Sequence, residues 1–259
     1  MKLYGVFVGV DKYQDERIRN LNYACSDAIA LYELMKNSLD PAECSLRLMT
    51  DAEATKDAVI EAIGEDLSRV VTEDDMVVLY FSGHGAPEFD NSADKTSRYL
   101  VMHDTQFSKV FTSGIDMEET IPRICFKRLR ARLILLIVDT CFSGLVGGRT
   151  FKGPELAKQG VRGIHLDQLN LGEGRLVMTA CADDELAQEN SELGHGVFTY
   201  YLLDTLSQNK GAQQTVSIAQ LYDTVSEKVF EYTKENQHPT LNGNSKLAKL
   251  PLFPTSGKA

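Results

Sequence analysis

Four short stretches of almost uninterrupted apolar residues constrain the fold of this chain more than any other feature. They are rich in Val, Ile, Leu, Phe and Tyr, and they cover Leu3–Val10, Met76–Phe81, Leu133–Val138 and Leu176–Ala180. A continuous rather than alternating run of this kind is typical of a strand buried on both faces, as in a parallel sheet. A fifth run, Ser45–Thr50, is less apolar, so we expect it near an edge of that sheet.

Helical periodicities lie between these runs. Apolar residues recur at spacings of three and four residues in Ala24–Met35, Val59–Val70, Phe198–Leu206 and Ile218–Val229. Ser217 followed by Gln220 is typical of a capping box that opens the last of these helices. The alternation predicts an α/β fold with a parallel sheet, right-handed crossovers and helices on both faces. Two stretches with neither period, roughly 85–114 and 143–173, are expected to be long functional loops.

Composition excludes several classes of protein. The chain has 259 residues and a formal net charge of −10, which disfavours nucleic-acid binding because phosphates are repelled. No apolar run approaches the roughly 18 residues that would span a bilayer. Five cysteines without a C-x-x-C pair favour a reduced protein with buried thiols. The first apolar run ends at Asp11 with no cleavage-site pattern after it, so we expect a cytoplasmic protein without membrane or nucleic-acid partners.

Two candidate catalytic residues follow strands of the predicted sheet. The motif SGHG follows the second apolar run and contains His84, and the motif DTCFSG follows the third and contains Cys141. Ligands of such sheets bind beyond the carboxyl ends of the strands, so both residues reach one crevice. An imidazole that takes the thiol proton activates cysteine as a nucleophile and later protonates a leaving amine. No third member of a triad is evident, so the sequence predicts a dyad.

Gly85 is the candidate for an oxyanion hole. Because glycine has no Cβ, the backbone N–H of Gly85 can approach a substrate carbonyl closely. The N–H of Cys141 is the natural second donor.

These motifs resemble a known family. YFSGHG and VDTCFSG are similar to the paired signatures of the caspase–haemoglobinase cysteine peptidases, in their metacaspase-like and prokaryotic orthocaspase branch. GVFVGVDKY, LNYACSDA, ACADDELAQE and GHGVFTYYLLDTL resemble further elements of that branch, over roughly residues 3–235. The resemblance implies a caspase-like three-layer α/β/α sandwich in one peptidase domain over 1–259. Within it, 1–147 would be large-subunit-like, 148–173 a linker loop and 174–259 small-subunit-like.

The resemblance also implies peptide-bond hydrolysis by His84 and Cys141, and charge predicts which bonds are cut. In the resembled family, acidic positions matching Asp27 and Asp139 line the primary specificity pocket and hold an arginine or lysine side chain. Ser82 is a further candidate for substrate binding. Carboxylates bind Arg through bidentate hydrogen bonds and Lys less well, so we expect cleavage after basic residues, with Arg preferred. Two other interpretations stay open: Asp27 stabilises a helix N-terminus, and Asp139 caps a turn.

The sequence departs from the family pattern at two places. Metacaspases commonly carry a cysteine three residues before the pocket aspartate, where this chain has Ala24, with Cys25 beside it. Calcium-dependent members carry paired acidic residues where this chain reads Asp94-Lys95 and Ile115-Asp116-Met117. A hard cation needs several oxygen ligands together, so calcium is not predicted and no metal or other cofactor is expected.

The linker loop bears on activation. It offers basic side chains in a glycine-punctuated segment of the kind that a protease draws into its cleft, at Arg149, Lys152, Lys158 and Arg162. In the resembled family this place is often cut by the enzyme itself, so self-cleavage is one expectation and an intact, solvated loop is the other. The resembled branch also implies a monomer.

Two alternatives belong to other classes of function. One is a catalytically silent caspase-homology domain that binds a peptide, a nucleotide signal or a partner protein, and the intact dyad argues against it. The other is a flavodoxin-like nucleotide-binding module, which lacks a phosphate-cradling glycine loop. A role in cell death, stress or defence follows from analogy alone. The remaining titratable candidates are interpreted as surface or packing residues, namely His103, His165, His195, His238 and Cys181.

Overall fold

The computed structural model describes residues 1–90, 95–140, 174–182, 185–208, 216–244 and 246–252. The strands within these ranges are β1 (Leu3–Gly9), β2 (Cys44–Thr50), β3 (Met76–Ser82), β4 (Gly85–Asp90), β5 (Lys95–Leu100), β6 (Ile115–Asp116), β7 (Leu133–Asp139), β8 (Arg175–Thr179), β9 (Glu189–Asn190), β10 (His195–Gly196) and β11 (Thr240–Gly243).

Six of these strands form the central sheet, in the order β11-β8-β7-β3-β1-β2. All neighbours are parallel except β11 and β8, which are antiparallel. Every residue of β1, β3, β7 and β8 is buried, as predicted from their continuous apolar runs. In β2 only Met49 is buried, and the strand forms one edge of the sheet, which confirms the prediction of an edge strand.

Helices cover both faces of the sheet. They are α1 (Ala24–Ser38), α2 (Lys56–Glu61), α3 (Ser68–Val70), α4 (Val110–Ser113), α5 (Val197–Gln208) and α6 (Ile218–Tyr232). Ala62–Leu67, which joins α2 to α3, and Pro122–Lys127 are π-helical, and Asp51–Glu53 and Leu247–Lys249 are 3₁₀ turns.

Two apolar cores separate the layers. On one face α2 and the π-helical segments pack through side chains such as Val59, Ile63 and Ile124. On the other face α1, α5 and α6 pack through side chains such as Leu31 and Leu202. The predicted three-layer α/β/α sandwich with a mostly parallel sheet is confirmed. The predicted capping box at the start of α6 is present as well.

One sequence-based expectation is wrong. The stretch 85–114, predicted as a loop, contains a hairpin in which β4 and β5 pair antiparallel, and β6 pairs with β5. These strands carry polar residues and a proline instead of a continuous apolar run, so neither period revealed them. The other expected loop, 143–173, and the linker 148–173 within it lie outside the described residues.

A close contact positions α1 over the carboxyl end of β1. A Cβ on Gly9 would lie 2.5 Å from the Ala24 carbonyl oxygen, so only glycine allows this approach. The carboxylate of Asp11 then accepts hydrogen bonds from the Ala24 N–H at 2.8 Å and the Cys25 N–H at 3.2 Å. Asp11 thus satisfies amide donors that the first turn of a helix leaves unpaired. The start of α1, including Asp27, is thereby fixed at this edge of the sheet.

Candidate active site

The carboxyl ends of the three innermost parallel strands lie side by side. Gly9 of β1 is opposite Ser82 of β3, and Ser82 is opposite Asp139 of β7. His84 follows two residues after Ser82, and in the sequence Cys141 follows two residues after Asp139. Cys141 itself lies outside the described residues, so its predicted role and its contacts stay predictions.

His84 is buried and held from two sides. The ring of Tyr13 packs beside the imidazole of His84, and the two ring centroids lie 5.3 Å apart. The Tyr13 hydroxyl accepts a hydrogen bond from the His84 backbone N–H at 3.1 Å and donates one to the Val10 carbonyl at 3.0 Å. His84 Nε2 lies 2.7 Å from the carbonyl oxygen of Arg19. The loop after β1 therefore fixes both the backbone and the ring of His84.

The Arg19 contact assigns the tautomer of His84. A carbonyl oxygen only accepts hydrogen bonds, so Nε2 must carry the proton, and in the neutral ring Nδ1 is then the basic nitrogen. The main-chain carbonyl of Arg19 thus orients the imidazole as a third triad member would. This group could not be predicted from the sequence, because a backbone carbonyl carries no residue signature.

Asp27 is a fully buried carboxylate that contacts residues distant in sequence. It accepts hydrogen bonds from the Ser82 hydroxyl at 3.4 Å and from the Gly196 N–H at 3.2 Å. His195 Nδ1 lies 2.7 Å from its Oδ1 atom. Asp27 lies in the first turn of α1, as the alternative interpretation of a carboxylate that stabilises a helix N-terminus expects, while Asp11 accepts from the first amides of the helix. His195, which the sequence analysis interprets as a surface or packing residue, is half-buried and contacts Asp27.

Asp139 is equally buried and is bonded through a chain of hydroxyl groups. The Thr199 hydroxyl donates to Asp139 Oδ2 at 2.6 Å, and the Tyr80 hydroxyl lies 2.6 Å from the Thr199 oxygen. Thr199 donates its single hydroxyl proton to Asp139, so Tyr80 must donate to Thr199. Helix α5 thus reaches across the sheet edge to hold this carboxylate.

Ser82 connects the two aspartates, since it pairs with Asp139 in the sheet and donates to Asp27. We call Asp27, Ser82 and Asp139 the acidic cluster. Two buried carboxylates in one small volume favour the binding of a cationic group, which replaces the lost hydration of both charges. The three residues that the sequence predicted for substrate binding are therefore brought together.

Gly85 begins β4 directly after His84 and is opposite Leu100 in the hairpin. The Val101 N–H donates to the His84 carbonyl at 3.0 Å, which ties the junction between His84 and Gly85 to β5. Gly85 therefore lies beside the candidate base, while the predicted role of its N–H in an oxyanion hole stays a prediction.

Ala24 stands where the resembled family commonly carries a cysteine, and the next residue, Cys25, is also close to the candidate site. The Cys25 Sγ atom lies 3.3 Å from both the Gly9 carbonyl oxygen and Asp51 Oδ1. Burial raises the pKa of the Cys25 thiol, and the carboxylates of Asp11 and Asp51 raise it further. A thiol that stays protonated is a poor nucleophile, so these surroundings do not activate Cys25.

The other residues predicted to lie in the core or at the surface have ordinary surroundings. Cys181 is buried, with its Sγ atom 3.7 Å from the Thr140 carbonyl, as expected for a core thiol. His103 bonds to the Lys12 carbonyl at 2.7 Å, and His238 contacts the carboxylate of Glu185. His165 lies outside the described residues.

A surface cleft of about 420 Å³ opens beside this site. It is lined by Arg19, Asn22, Tyr23, Gln188, Glu189 and Ser191. Glu189 accepts hydrogen bonds from the Asn22 and Tyr23 backbone amides at 3.4 and 3.1 Å, which joins β9 to the segment before α1. The cleft therefore lies between the Arg19 loop, which orients His84, and the β9–β10 hairpin, which contacts Asp27.

Neither a metal centre nor a membrane span is found in the part of the chain that the structure describes. Within those ranges, no group of three or more His, Cys, Asp or Glu side chains is arranged to hold a metal ion. Among the helices of the same ranges, none is long and apolar enough to cross a membrane.

Comparison with known proteins shows the family to which the chain belongs. No curated protein matches the sequence significantly. The crystal structure of protein GSU0716 from Geobacter sulfurreducens superposes with a TM-score of 0.72 at 18% sequence identity, and 98% of each chain is covered. At this identity the similarity shows the fold alone. A family model described as the caspase domain matches residues 4–251, which is nearly the whole chain. The chain therefore belongs to the caspase-domain family of cysteine peptidases.

Proposed function

We propose that this chain is a cysteine endopeptidase that hydrolyses peptide bonds after basic residues, with arginine preferred over lysine. The observation that carries the proposal is the acidic cluster, in which Ser82 and Asp139 end neighbouring strands in register and Asp27 lies in the first turn of α1. Ser82 stands two residues before His84. Asp27 and Asp139 are buried, and a guanidinium group with several N–H donors matches two carboxylates better than a single ammonium does. An aspartate-cleaving pocket would need basic residues at these positions.

The geometry of His84 supports its role as the base. Nδ1, left basic by the Nε2–Arg19 hydrogen bond, would take the proton of the Cys141 thiol. The thiolate sulfur then attacks the scissile carbonyl carbon, and the negative charge on its oxygen faces the N–H groups of Gly85 and Cys141. Collapse of this intermediate breaks the C–N bond as His84 protonates the leaving amine. Water attacks the resulting thioester, which releases the acid and restores the thiol.

The dyad is tested with fluorogenic peptides that carry Arg, Lys, Asp or Leu before the cleaved bond. We expect the wild type to cleave the Arg peptide fastest and the Lys peptide next. Cys141→Ala and His84→Ala should lose activity by at least about 10²-fold, since acid–base help alone is worth that much. Cys44→Ala is the matched thiol control, because Cys44 begins β2 at the opposite end of the sheet. A Cys141→Ala protein with wild-type activity would contradict the peptidase assignment.

The acidic cluster is tested separately with Asp27→Asn and Asp139→Asn. Each change removes one charge that a bound guanidinium would neutralise, so kcat/KM for the Arg peptide should fall by about 10²- to 10³-fold. A peptide with an uncharged residue before the cut should be affected much less. Asp66→Asn serves as control, because this carboxylate is exposed and pairs with Arg47 on the surface. Mass spectrometric mapping that shows cuts mainly after Asp or apolar residues would rule out the specificity.

The proposal includes the working environment of the enzyme. The four cysteines within the described residues are free thiols, the state that suits a thiol peptidase in a reducing, cytoplasmic environment. The reaction as written uses side chains and water alone, so neither calcium nor another cofactor is part of it. The substrate is a polypeptide, and the enzyme acts as a monomer in this proposal.

A further inference from the structure

Asp27 has a titratable partner in the second half of the chain. His195 forms β10 with Gly196 and stands directly before α5, after a turn in which Gly194 has a φ of +66°. Its Nδ1 atom lies 2.7 Å from Asp27 Oδ1, and the next backbone amide, from Gly196, donates to the same carboxylate. Asp27 is fully buried, whereas 23% of the His195 side chain is exposed. The imidazole therefore connects a buried charge to solvent.

The chemistry of this pair gives two states of the site. A carboxylate oxygen only accepts hydrogen bonds, so Nδ1 of His195 carries a proton in both. In one state the ring is neutral, and the acidic cluster keeps the negative charge of both aspartates. In the other state the ring is an imidazolium, which cancels one of those charges. Histidine is the side chain that changes between these forms over about pH 5 to 8.

Other titratable groups lie on the elements that pack against β10, which are α1, β9 and α5. Among them are Cys25, Asp27, Glu189, Tyr200, Tyr201 and Asp204, and Glu192 lies in the turn between β9 and β10. Glu189 bonds to the backbone before α1, in a cleft that also contains Arg19. The rings of Tyr200 and Tyr201 pack on each other, and Asp204 pairs with Lys228 at 2.9 Å. The charge that the His195 ring contacts directly is that of Asp27.

We infer that His195 is a specificity-determining residue whose charge state makes the binding of a basic side chain depend on pH. The inference rests on the proposed function, because it assumes that Asp27 binds the substrate cation. A guanidinium group bound to Asp27 would stand within a few ångströms of the His195 ring. When that ring is an imidazolium, its positive charge repels the guanidinium. Neutral His195 is then the binding state, and a bound arginine side chain displaces the second ring proton. Acidification weakens arginine binding through His195 before chemistry begins.

The test uses the full chain with Cys141→Ala, so that binding is measured without turnover. Isothermal titration gives the affinity for a peptide with arginine at the cleavage position and for the same peptide with citrulline, its neutral analogue. Between pH 8 and pH 5.5, the affinity for the arginine peptide should fall by about 10- to 100-fold, as expected for like charges this close. The affinity for the citrulline peptide should change little.

His195→Asn, added to Cys141→Ala, is the matched variant. An asparagine amide places an N–H near the position of Nδ1 but does not titrate, so the fall in arginine affinity should disappear. His84 is present in both proteins, so its contribution cancels in the comparison. A second measurement needs no change at His195: repeating the titration near pH 6 in buffers of different ionisation enthalpy counts the protons released. The arginine peptide should release a proton fraction that the citrulline peptide does not.

The outcomes separate the inference from the proposed function. Loss of the pH dependence in the variant, or selective proton release from the parent, supports the inference. Arginine binding that falls equally with and without His195, with no proton release, overturns the inference and leaves the peptidase proposal intact. If the Cys141→Ala protein binds neither peptide and the wild type cleaves none, the proposed function fails and the inference fails with it.

Discussion

Thr199 helps to hold the second carboxylate of the acidic cluster, that of Asp139. Its hydroxyl donates to Asp139 at 2.6 Å and is itself bonded to Tyr80, and all three side chains are buried. A short hydrogen bond to a charged acceptor is about twice as strong as a neutral one. Thr199 therefore positions the carboxylate of Asp139, which is the last residue of β7. In the proposed function the substrate contacts this carboxylate and not Thr199.

Thr199→Val removes this donor while keeping the shape of the side chain. A hydrogen bond to a charged group contributes about 1.5 to 3 kcal/mol, so we expect kcat/KM for the Arg peptide to fall by about 10- to 100-fold, through KM. Thr199→Ser keeps the hydroxyl and should restore most of the preference for Arg over a neutral residue. A Thr199→Val enzyme that discriminates as well as the wild type would show that Asp139 needs no positioning by α5.

The central strands could be predicted from the sequence because their burial is complete. β1, β3, β7 and β8 each agree with their apolar runs to within one residue at either end. The β4–β5 hairpin was missed because it lies outside the central sheet, and its buried positions include polar side chains such as Ser97 and Arg98. A pattern of apolar residues cannot reveal a strand whose polar groups are satisfied by tertiary contacts.

The turn after β6 holds a carboxylate with an unusual charge state. The Arg98 N–H of β5 donates to Glu118 at 3.0 Å, and the Glu118 N–H donates to Asp116 at 2.7 Å. Burial raises the pKa of the Glu118 carboxyl to about 7, and Asp116 adds to this, against the opposing effect of Arg98. The proton on Glu118 is therefore held in the folded state to a higher pH than in the unfolded chain.

This shift predicts a pH-dependent cost to folding. Between pH 4.5, the ordinary pKa of this carboxyl, and about pH 7, the folded state binds a proton that the unfolded chain has released. Stability therefore declines as pH rises through that window, and the cost of about 1 to 3 kcal/mol is complete above pH 7. Glu118→Gln avoids the cost, so it should raise the free energy of unfolding at pH 8 by that amount and change little at pH 4.5.

Urea unfolding at the two pH values measures this difference. Glu119→Gln is the matched control, because Glu119 is the next residue in the sequence and its side chain is exposed. The remaining carboxylates are shared by all three proteins, so only the difference from the wild type is interpreted. A Glu118→Gln protein that gains no stability at pH 8 would show that Glu118 is ionised there at no cost.

At the scale of the whole molecule, the candidate site joins parts of the chain that are far apart in sequence. His195 contacts Asp27 across 168 residues, and Thr199 contacts Asp139 across 60. His84 could be proposed in advance because its motif follows a predicted strand, and Asp27, Ser82 and Asp139 because the motifs that contain them resemble those of a known family. His195, Thr199 and the Arg19 carbonyl could not, because their roles depend on how α5 and the loop after β1 pack against the sheet. No local pattern in a single sequence encodes that packing.

The same arrangement predicts that the molecule stays assembled if the linker is cut. In the sequence, residues 148–173 connect β7 to β8. These two strands are adjacent and parallel, and every residue of both is buried. If the enzyme cleaves itself after Arg149, Lys152, Lys158 or Arg162, the two fragments should stay together. The sheet pairing and the packing of α5 against α1 do not require a continuous chain there. The fragments should separate on a denaturing gel but elute as one species in size-exclusion chromatography.

Wild type and Cys141→Ala are incubated side by side, and their masses are followed over time. Cuts in the linker of the wild type alone support self-cleavage, and a variant with all four basic residues changed to Gln should stay intact. The acidic cluster is complete in that variant, so its activity on the Arg peptide separates processing from catalysis. Full activity without cuts in the wild type would show that the uncut chain is the working enzyme, because the site is then assembled by folding alone.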